Sequence, residues 1–349
     1  MKKFLLSTSR GKSEIFLGKV EEGWARIKEI SRAPLIVDEK LCHLVPHLLQ
    51  GKRYMTLSVR EKDKSLLTVM KIYHQFLEWR LDRSSLVIIL GGGVLSDLAA
   101  FSCSTYMRGI NYLITPTTFL AQADASLGGK NGLNFAGIKN IIGTFSLPQA
   151  IVIDPGFLKT LPSKEIRNGL AEVIKHALIA SRDLLAFIEE KWPHAINYNP
   201  VVLKKMVEES IKIKINIVSQ DINEENIRRV LNFGHTFAHA LEKILGLAHG
   251  EAVAWGMDMA TRLSRFCGLL VPSEASRIQS LLGQIFPQLH SIPISKTLLD
   301  EIFQKIQQDK KKAGGKIHFV FLKGIGQPEI RLLSLTKLKR LTHDLCQLG

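Results

Sequence analysis

The run SLVIIL, Ser85 to Leu90, constrains the fold more than any other stretch. Its apolar residues are consecutive and leave no face for water. That is the pattern of a strand buried on both sides, which belongs to a parallel sheet covered by helices. Gly91, Gly92 and Gly93 follow, and a helix is predicted through LAAF. Upstream, LIVD (Leu35 to Asp38) and YMTLSV (Tyr54 to Val59) read as strands, and Leu66 to Leu81 has the apolar spacing of a helix. Downstream, NYLITP and AIVIDP (Ala150 to Pro155) are further strands. This alternation predicts an α/β domain built on a parallel-type sheet. From Gly156 onward the chain reads as helical, with only KIHFVFL (Lys316 to Leu322) strand-like. The boundary falls in DPGFLKTLP, so the expected division is 1–155, α/β, and 156–349, mostly α-helical.

At 349 residues, 46% hydrophobic and 23% charged, the chain has room for two folded domains. No segment has the uninterrupted apolar length of a membrane span. The apolar run in MKKFLLSTSR is too short for a signal peptide, so a cytoplasmic location is expected. Cys42, Cys103, Cys267 and Cys346 are scattered without a C-x-x-C pair, as in a reduced compartment. A net charge of +15 favours an anionic partner, although a solvated basic surface accounts for most of the lysines. Aromatics are sparse and no nucleic-acid motif is present, so neither a nucleic-acid nor a membrane partner is expected.

Chemistry concentrates in LNFGHTFAHALEKILGLAHGEAVAWGM, Leu231 to Met257. His235 and His239 are four apart and share a helix face. His249 follows after that helix ends near Gly246. Two imidazoles and a carboxylate from elsewhere would make a catalytic metal site with an open position. Taken singly, each histidine reads first as a core or capping residue; the cluster is what points to a metal or catalytic role. HTFAH lacks the glutamate of H-E-x-x-H, which argues against a zincin protease.

GGGVLSD follows the buried strand and opens a helix, as a phosphate site or a tight turn would. It is not the G-x-G-x-x-G fingerprint. SLGGKNGLN and FAGIKN place Lys130, Lys139 and Asn140 on glycine-rich segments read as loops, suited to anions or simply exposed. In VVLKKMVEESIKIKINIV, Lys214 falls within the apolar stripe of a helix. It either snorkels or enters a polar site. Glu172 and Lys175, three apart in GLAEVIKH, read from spacing as an ion pair. Arg108, and Arg228 with Asn232, add groups suited to carboxylate or phosphate.

Together GGGVLSDLAAF, TYMRG, PTTFLAQADASLGGKNGLN, KNIIGTF, LKTLP, GLAEVIKH, LNFGHTFAHALE, HGEAVAWGM and DKKKAGG resemble the 3-dehydroquinate synthase family of sugar phosphate cyclases. The resemblance covers nearly the whole chain. It implies an NAD-binding α/β domain, a helical metal- and substrate-binding domain, and a homodimer. It also implies a carbon–oxygen lyase of the shikimate pathway that uses NAD+ and a divalent metal, Zn2+ or Co2+. The substrate would be the anionic phosphosugar acid 3-deoxy-D-arabino-heptulosonate 7-phosphate. Oxidation by NAD+, phosphate elimination, re-reduction and an intramolecular aldol would yield 3-dehydroquinate.

By matching motif, Glu172, His235 and His249 would hold the metal, and His239 would move protons or orient substrate. Lys130, Lys139, Asn140, Lys175, Lys214, Arg228, Asn232 and Lys310, or Lys311 in its place, would hold the substrate, with Arg108 on its phosphate. Gly91, Gly92, Gly93, Asp97, Thr117, Thr118 and Asp124 would contact NAD, together with Glu61 and Lys64 of a G-E-x-x-K-like motif. The same resemblance adds Lys130, Lys139, Asn140, Phe157, Thr160 and Leu161 to the cofactor side.

This chain departs from the family pattern at Arg60, Ser96, Asn131, Asn226 and Ala238. Ser96 would be costly if its position needed a positive φ or a very close approach to the cofactor, and Asn226 suits a left-handed conformation. The rival readings are another cyclase such as 2-deoxy-scyllo-inosose synthase or a valiolone synthase, a polyol dehydrogenase, and a basic nucleic-acid-binding protein on a degenerate enzyme fold.

Overall fold

The computed structural model describes residues 1–292, 295–310 and 315–347, without the side chains of residues 290 and 308–310. In chain order the regular elements begin with β1 (Lys2–Thr8), β2 (Gly11–Leu17), α1 (Val20–Trp24), β3 (Leu35–Asp38), α2 (Pro46–Leu49), β4 (Tyr54–Leu57), α3 (Leu66–Glu78) and β5 (Leu86–Gly91). Next come α4 (Gly93–Thr105), β6 (Asn111–Pro116), β7 (Lys130–Phe135), β8 (Ile138–Phe145) and β9 (Ala150–Ile153). They are followed by α5 (Ser163–Ala180), α6 (Arg182–Ile196), α7 (Pro200–Gln220), α8 (His235–Leu245) and α9 (His249–Phe266). The last are α10 (Pro272–Ile285), α11 (Lys296–Lys310), β10 (Lys316–Gly324), β11 (Gln327–Ser334) and α12 (Leu335–Gln347). No described helix is long and apolar enough to cross a membrane.

The chain forms two compact units that do not meet at a single cut: Met1–Glu165 with Leu203–Asn223, and Ile166–Val202 with Glu224–Gly349. Most of α7 therefore belongs to the first unit. That unit holds a seven-stranded sheet of order β1-β2-β9-β6-β5-β3-β4, parallel except for the β1–β2 pair. Along β5 the side chains alternate between two cores. Val87 and Ile89 pack with Val69, Ile72 and Phe76 of α3 and with Leu95 and Leu98 of α4. Leu86, Ile88 and Leu90 face the other way, toward Val20, Trp24, Leu48 and Leu49. Burial on both sides explains why β5 carries no polar side chain. From β3 the chain goes outward to β4, returns to β5 on the other side of β3, and continues to β6. This reversal at β3 and β5 puts Gly91 to Gly93 where such sheets bind ligands, at the carboxyl ends of the strands.

Several strands depart from the sequence reading. MKKFLLSTSR, dismissed above as a failed leader, is the start of the β1–β2 hairpin at the sheet edge. β7 and β8 pair into a hairpin, so Lys130, Lys139 and Asn140 sit on strands and not on loops. KIHFVFL is joined by an unforeseen partner, β11. YMTLSV ends as a strand at Leu57.

The β1–β2 hairpin is tied to α7 by charge. Lys2 Nζ donates to both oxygens of Glu208 at 2.7 Å, and Lys212 Nζ lies 3.0 Å from Glu208. Burial raises the Glu208 pKa, but Lys2 and Lys212 outweigh it and hold the carboxyl below its ordinary value. A depressed carboxyl stabilises the fold above its unfolded pKa, and that contribution is lost as pH falls through the folded one. Lys2→Met is therefore expected to destabilise the protein at neutral pH, with the difference from the parent shrinking below the ordinary glutamate range. Denaturant melts between pH 7 and pH 3 would show it, and a pH-independent difference would reject it.

Candidate active site and metal centre

In the second unit, three side chains converge. α8 begins at His235, and its end is set by Gly246, whose left-handed φ of 64° only glycine adopts at little cost. α9 begins directly afterwards at His249. The two helices approach closely because Gly234 and Gly256 carry no side chains. A Cβ on Gly256 would lie 2.1 Å from the Gly234 carbonyl oxygen. His235 Nε2 is 3.4 Å and His249 Nε2 3.0 Å from the same oxygen, Oε1, of Glu172 on α5. One ligand atom from each of the three lies within 4.8 Å of the others. Two imidazole nitrogens and one carboxylate oxygen at this spacing fit a divalent transition metal with a position left open.

The electrostatics suit a cation. Glu172 is fully buried, and its second oxygen pairs with Lys175, itself 2% exposed. Burial alone would raise the Glu172 pKa. The Lys175 ammonium and His235 outweigh it and hold the carboxyl well below the usual range. At His249 burial opposes charge, but Glu172 and Glu242 prevail and push the imidazole up to about 10. His239 is exposed one turn along α8, its ring centroid 5.4 Å from that of His235. Arg228 is buried, and Asn232 Nδ2 donates to Glu224 Oε1. The left-handed residue here is Glu224, at φ 63°; Asn226 has φ −135°, so its expected left-handed conformation is not found. Lys310 ends α11, but its side chain and all of Lys311 lie outside the described residues.

In the first unit, Gly91 ends β5 and Gly92 caps α4 with no side-chain hydrogen bond at the helix start. A bare helix N-terminus at the sheet reversal fits a diphosphate. Thr117 N donates to the Gly91 carbonyl at 3.0 Å, and Thr118 Oγ1 accepts from Ala121 N at 3.2 Å. Ser96 sits inside helical α4, so its backbone needs no positive φ. Its Oγ is instead buried without a hydrogen-bond partner. Arg60, with φ −119°, is extended and unstrained. Asn131 Oδ1 accepts from Thr144 Oγ1 at 2.7 Å.

Two lysines expected at the site are buried and paired within this unit. Lys64 Nζ meets Asp97 and donates to Asn140 Oδ1 at 2.5 Å. Asn140, in the left-handed region at φ 53°, donates its backbone N–H to Asn134 Oδ1 at 2.9 Å. Asn134 in turn donates to Glu61 Oε1 at 2.9 Å. Lys214 Nζ donates to Asp124 O at 2.7 Å and to Oδ1 at 2.5 Å, which settles its place on the apolar stripe as a buried, paired lysine. Phe157 is buried, while Thr160 is exposed beside Leu161 and donates to the Phe157 carbonyl. Lys130 and Lys139 are exposed on the hairpin. Arg108 is exposed at φ 70°, next to Met107 at φ 51°.

Sequence reasoning missed Asn134 and Gln122. Gln122, fully buried, donates to the carbonyls of Pro116 and Asp154 at 3.1 and 2.7 Å and so joins the ends of β6 and β9. Both lie inside PTTFLAQADASLGGKNGLN, but no periodic spacing singles out either one. Glu242 was also missed.

The chain thus has an α/β unit whose sheet reverses beside Gly91 to Gly93 and a helical unit that brings Glu172, His235 and His249 together. The fold is similar to 2-deoxy-scyllo-inosose synthase solved with carbaglucose-6-phosphate, NAD+ and Co2+, at TM-score 0.86, 24% identity, and 98% and 99% coverage of the two chains. It is also similar to the 2-epi-5-epi-valiolone synthase ValA from Streptomyces hygroscopicus subsp. jinggangensis 5008, solved with NAD+ and Zn2+, at TM-score 0.82, 24% identity and 97% coverage of each chain. The chain matches the 3-dehydroquinate synthase N-terminal family over residues 54–168 and the C-terminal family over residues 169–312. It is 41% identical over 303 residues to the 3-dehydroquinate synthase of Sulfurovum sp. (strain NBC37-1), covering 85% of this chain and 84% of that one. The chain belongs to the 3-dehydroquinate synthase family.

Proposed function

We propose that this enzyme converts 3-deoxy-D-arabino-heptulosonate 7-phosphate to 3-dehydroquinate and phosphate. The observation that carries this reading is the convergence of Glu172, His235 and His249, at family motif positions, in a chain 41% identical to a 3-dehydroquinate synthase. When bound, NAD+ would accept and return one hydride and the divalent metal, zinc or cobalt, would act as a Lewis acid on substrate hydroxyls. Glu172, His235 and His249 hold that metal, and Lys175 keeps the buried Glu172 ionised.

The bare start of α4 with Gly91 to Gly93 takes the cofactor diphosphate, and Asp97, Thr117, Thr118 and Asp124 orient the nucleotide. Glu61, Lys64, Phe157, Thr160 and Leu161 serve the same cofactor side. Exposed His239 accepts or donates a proton at a ring nitrogen. Lys130, Lys139, Asn140, Lys214, Arg228, Asn232 and Lys310 bind the substrate carboxylate, hydroxyls and phosphate, with Arg108 on the phosphate. The first unit thus serves the cofactor and the second the metal. The net charge of +15 attracts this anion. A homodimer in the cytoplasm completes the reading, as for the family the motifs resemble.

Side-by-side turnover of the heptulosonate phosphate and glucose 6-phosphate tests it. Phosphate release from the first alone supports the reading. Release from glucose 6-phosphate alone would assign the chain to the inosose-forming cyclases. Lys214→Met tests one assignment: losing a charged hydrogen bond is expected to lower kcat/KM roughly 10- to 100-fold, about 1.5–3 kcal/mol. An unchanged kcat/KM would remove Lys214 from the site.

A further inference from the structure

The two histidines are held differently behind the site. His235 Nδ1 faces the Phe233 carbonyl at 3.3 Å. His249 Nδ1 faces a carboxylate, Glu242 Oε1, at 2.7 Å. Glu242 is largely buried, with 7% of its side chain exposed. It lies seven residues after His235, so α8 presents His235, His239 and Glu242 along one face. His249, on the first turn of α9, meets that face with its Nε2 turned to Glu172 at 3.0 Å.

We propose that Glu242 is a positioning residue for the metal centre, which orients the His249 ring and strengthens its Nε2 as a donor. The proposal rests on the metal reading of Glu172, His235 and His249. A carboxylate that accepts the Nδ1 proton fixes the tautomer, so Nε2 keeps its lone pair for the metal, and it makes that nitrogen more basic. α8 thereby supplies one ligand and also the orienting group of a second ligand on α9. His249 sits at a helix start, where the dipole disfavours positive charge on a ring that donates to a metal. A carboxylate behind the ring offsets this.

The test is a chelator competition for Zn2+ and Co2+ on the full chain, with the visible spectrum of the Co2+ form, for the parent, Glu242→Ala and Glu242→Gln. Metal affinity is expected to fall ten- to a hundredfold in Glu242→Ala, with an altered Co2+ spectrum. Glu242→Gln, whose amide oxygen still accepts from Nδ1 but carries no charge, is expected to fall between Ala and the parent. It keeps the side-chain shape, and it decides the matter if Glu242→Ala fails to fold. Parental affinity and spectrum in Glu242→Gln, with or without lost thermal stability, would overturn the proposal and leave Glu242 a purely structural contact between the helices. A parent that binds neither metal would instead reject the metal reading on which the proposal rests.

Discussion

Glu172→Gln is expected to lose the metal and to cut turnover about a thousandfold, since Lewis-acid stabilisation is worth several kcal/mol. A second effect accompanies it. Lys175 is 2% exposed, and its ammonium pairs with the Glu172 carboxylate. Removing one member of a buried ion pair costs about 3–5 kcal/mol. The variant should therefore be both inactive and markedly less stable. Adding Lys175→Met removes the other member of the pair, and is expected to recover part of the stability with no recovery of metal binding or turnover. Metal content, melting temperature and kcat on the three proteins separate the two roles. A stable Glu172→Gln protein with a full complement of metal would contradict both.

Gly256→Ala carries the second largest expectation, and it acts through the backbone. The added Cβ would stand 2.1 Å from the Gly234 carbonyl oxygen and 2.9 Å from the carbonyl carbon, and neither can rotate away. α8 and α9 must separate, which moves His235 away from His249. Overpacking of this kind costs about 3 kcal/mol, and a backbone obstacle places it at the upper end of the usual range. We expect lower thermal stability and weaker metal binding together, although no ligand is changed. Thermal melts of the metal-free and metal-loaded variant measure both. Unchanged melts and affinity would show that the helices tolerate a side chain at this contact.

The sequence made the central strands and the histidine cluster readable, for physical reasons that differ. β5 is buried on both faces, so its composition alone marks it. The α8 and α9 boundaries are carried by Gly246 and by the histidines themselves. The hairpins were not readable. β1, β8 and β11 bury few side chains, and without a buried face a strand has no period to detect. The Lys64 contacts with Asp97 and Asn140 join residues 33 and 76 positions apart, beyond any local pattern. Glu242 was hidden for a simpler reason: on its own helix it looks like any charged residue, and its partner lies across a turn. Ser96 and Asn226 stand where the family has glycine, and in neither does the backbone take a left-handed conformation. One proved helical, and at the other the left-handed residue is a neighbour.

The most direct measurement follows phosphate, dehydroquinate and NADH together while the metal-loaded enzyme acts on the heptulosonate phosphate with NAD+. The account predicts phosphate and dehydroquinate in equal amounts and no net NADH, with the whole reaction stopped by a chelator and restored by zinc or cobalt. Accumulating NADH without phosphate would make the chain a dehydrogenase. Folded, metal-loaded protein that releases no phosphate would contradict the central claim.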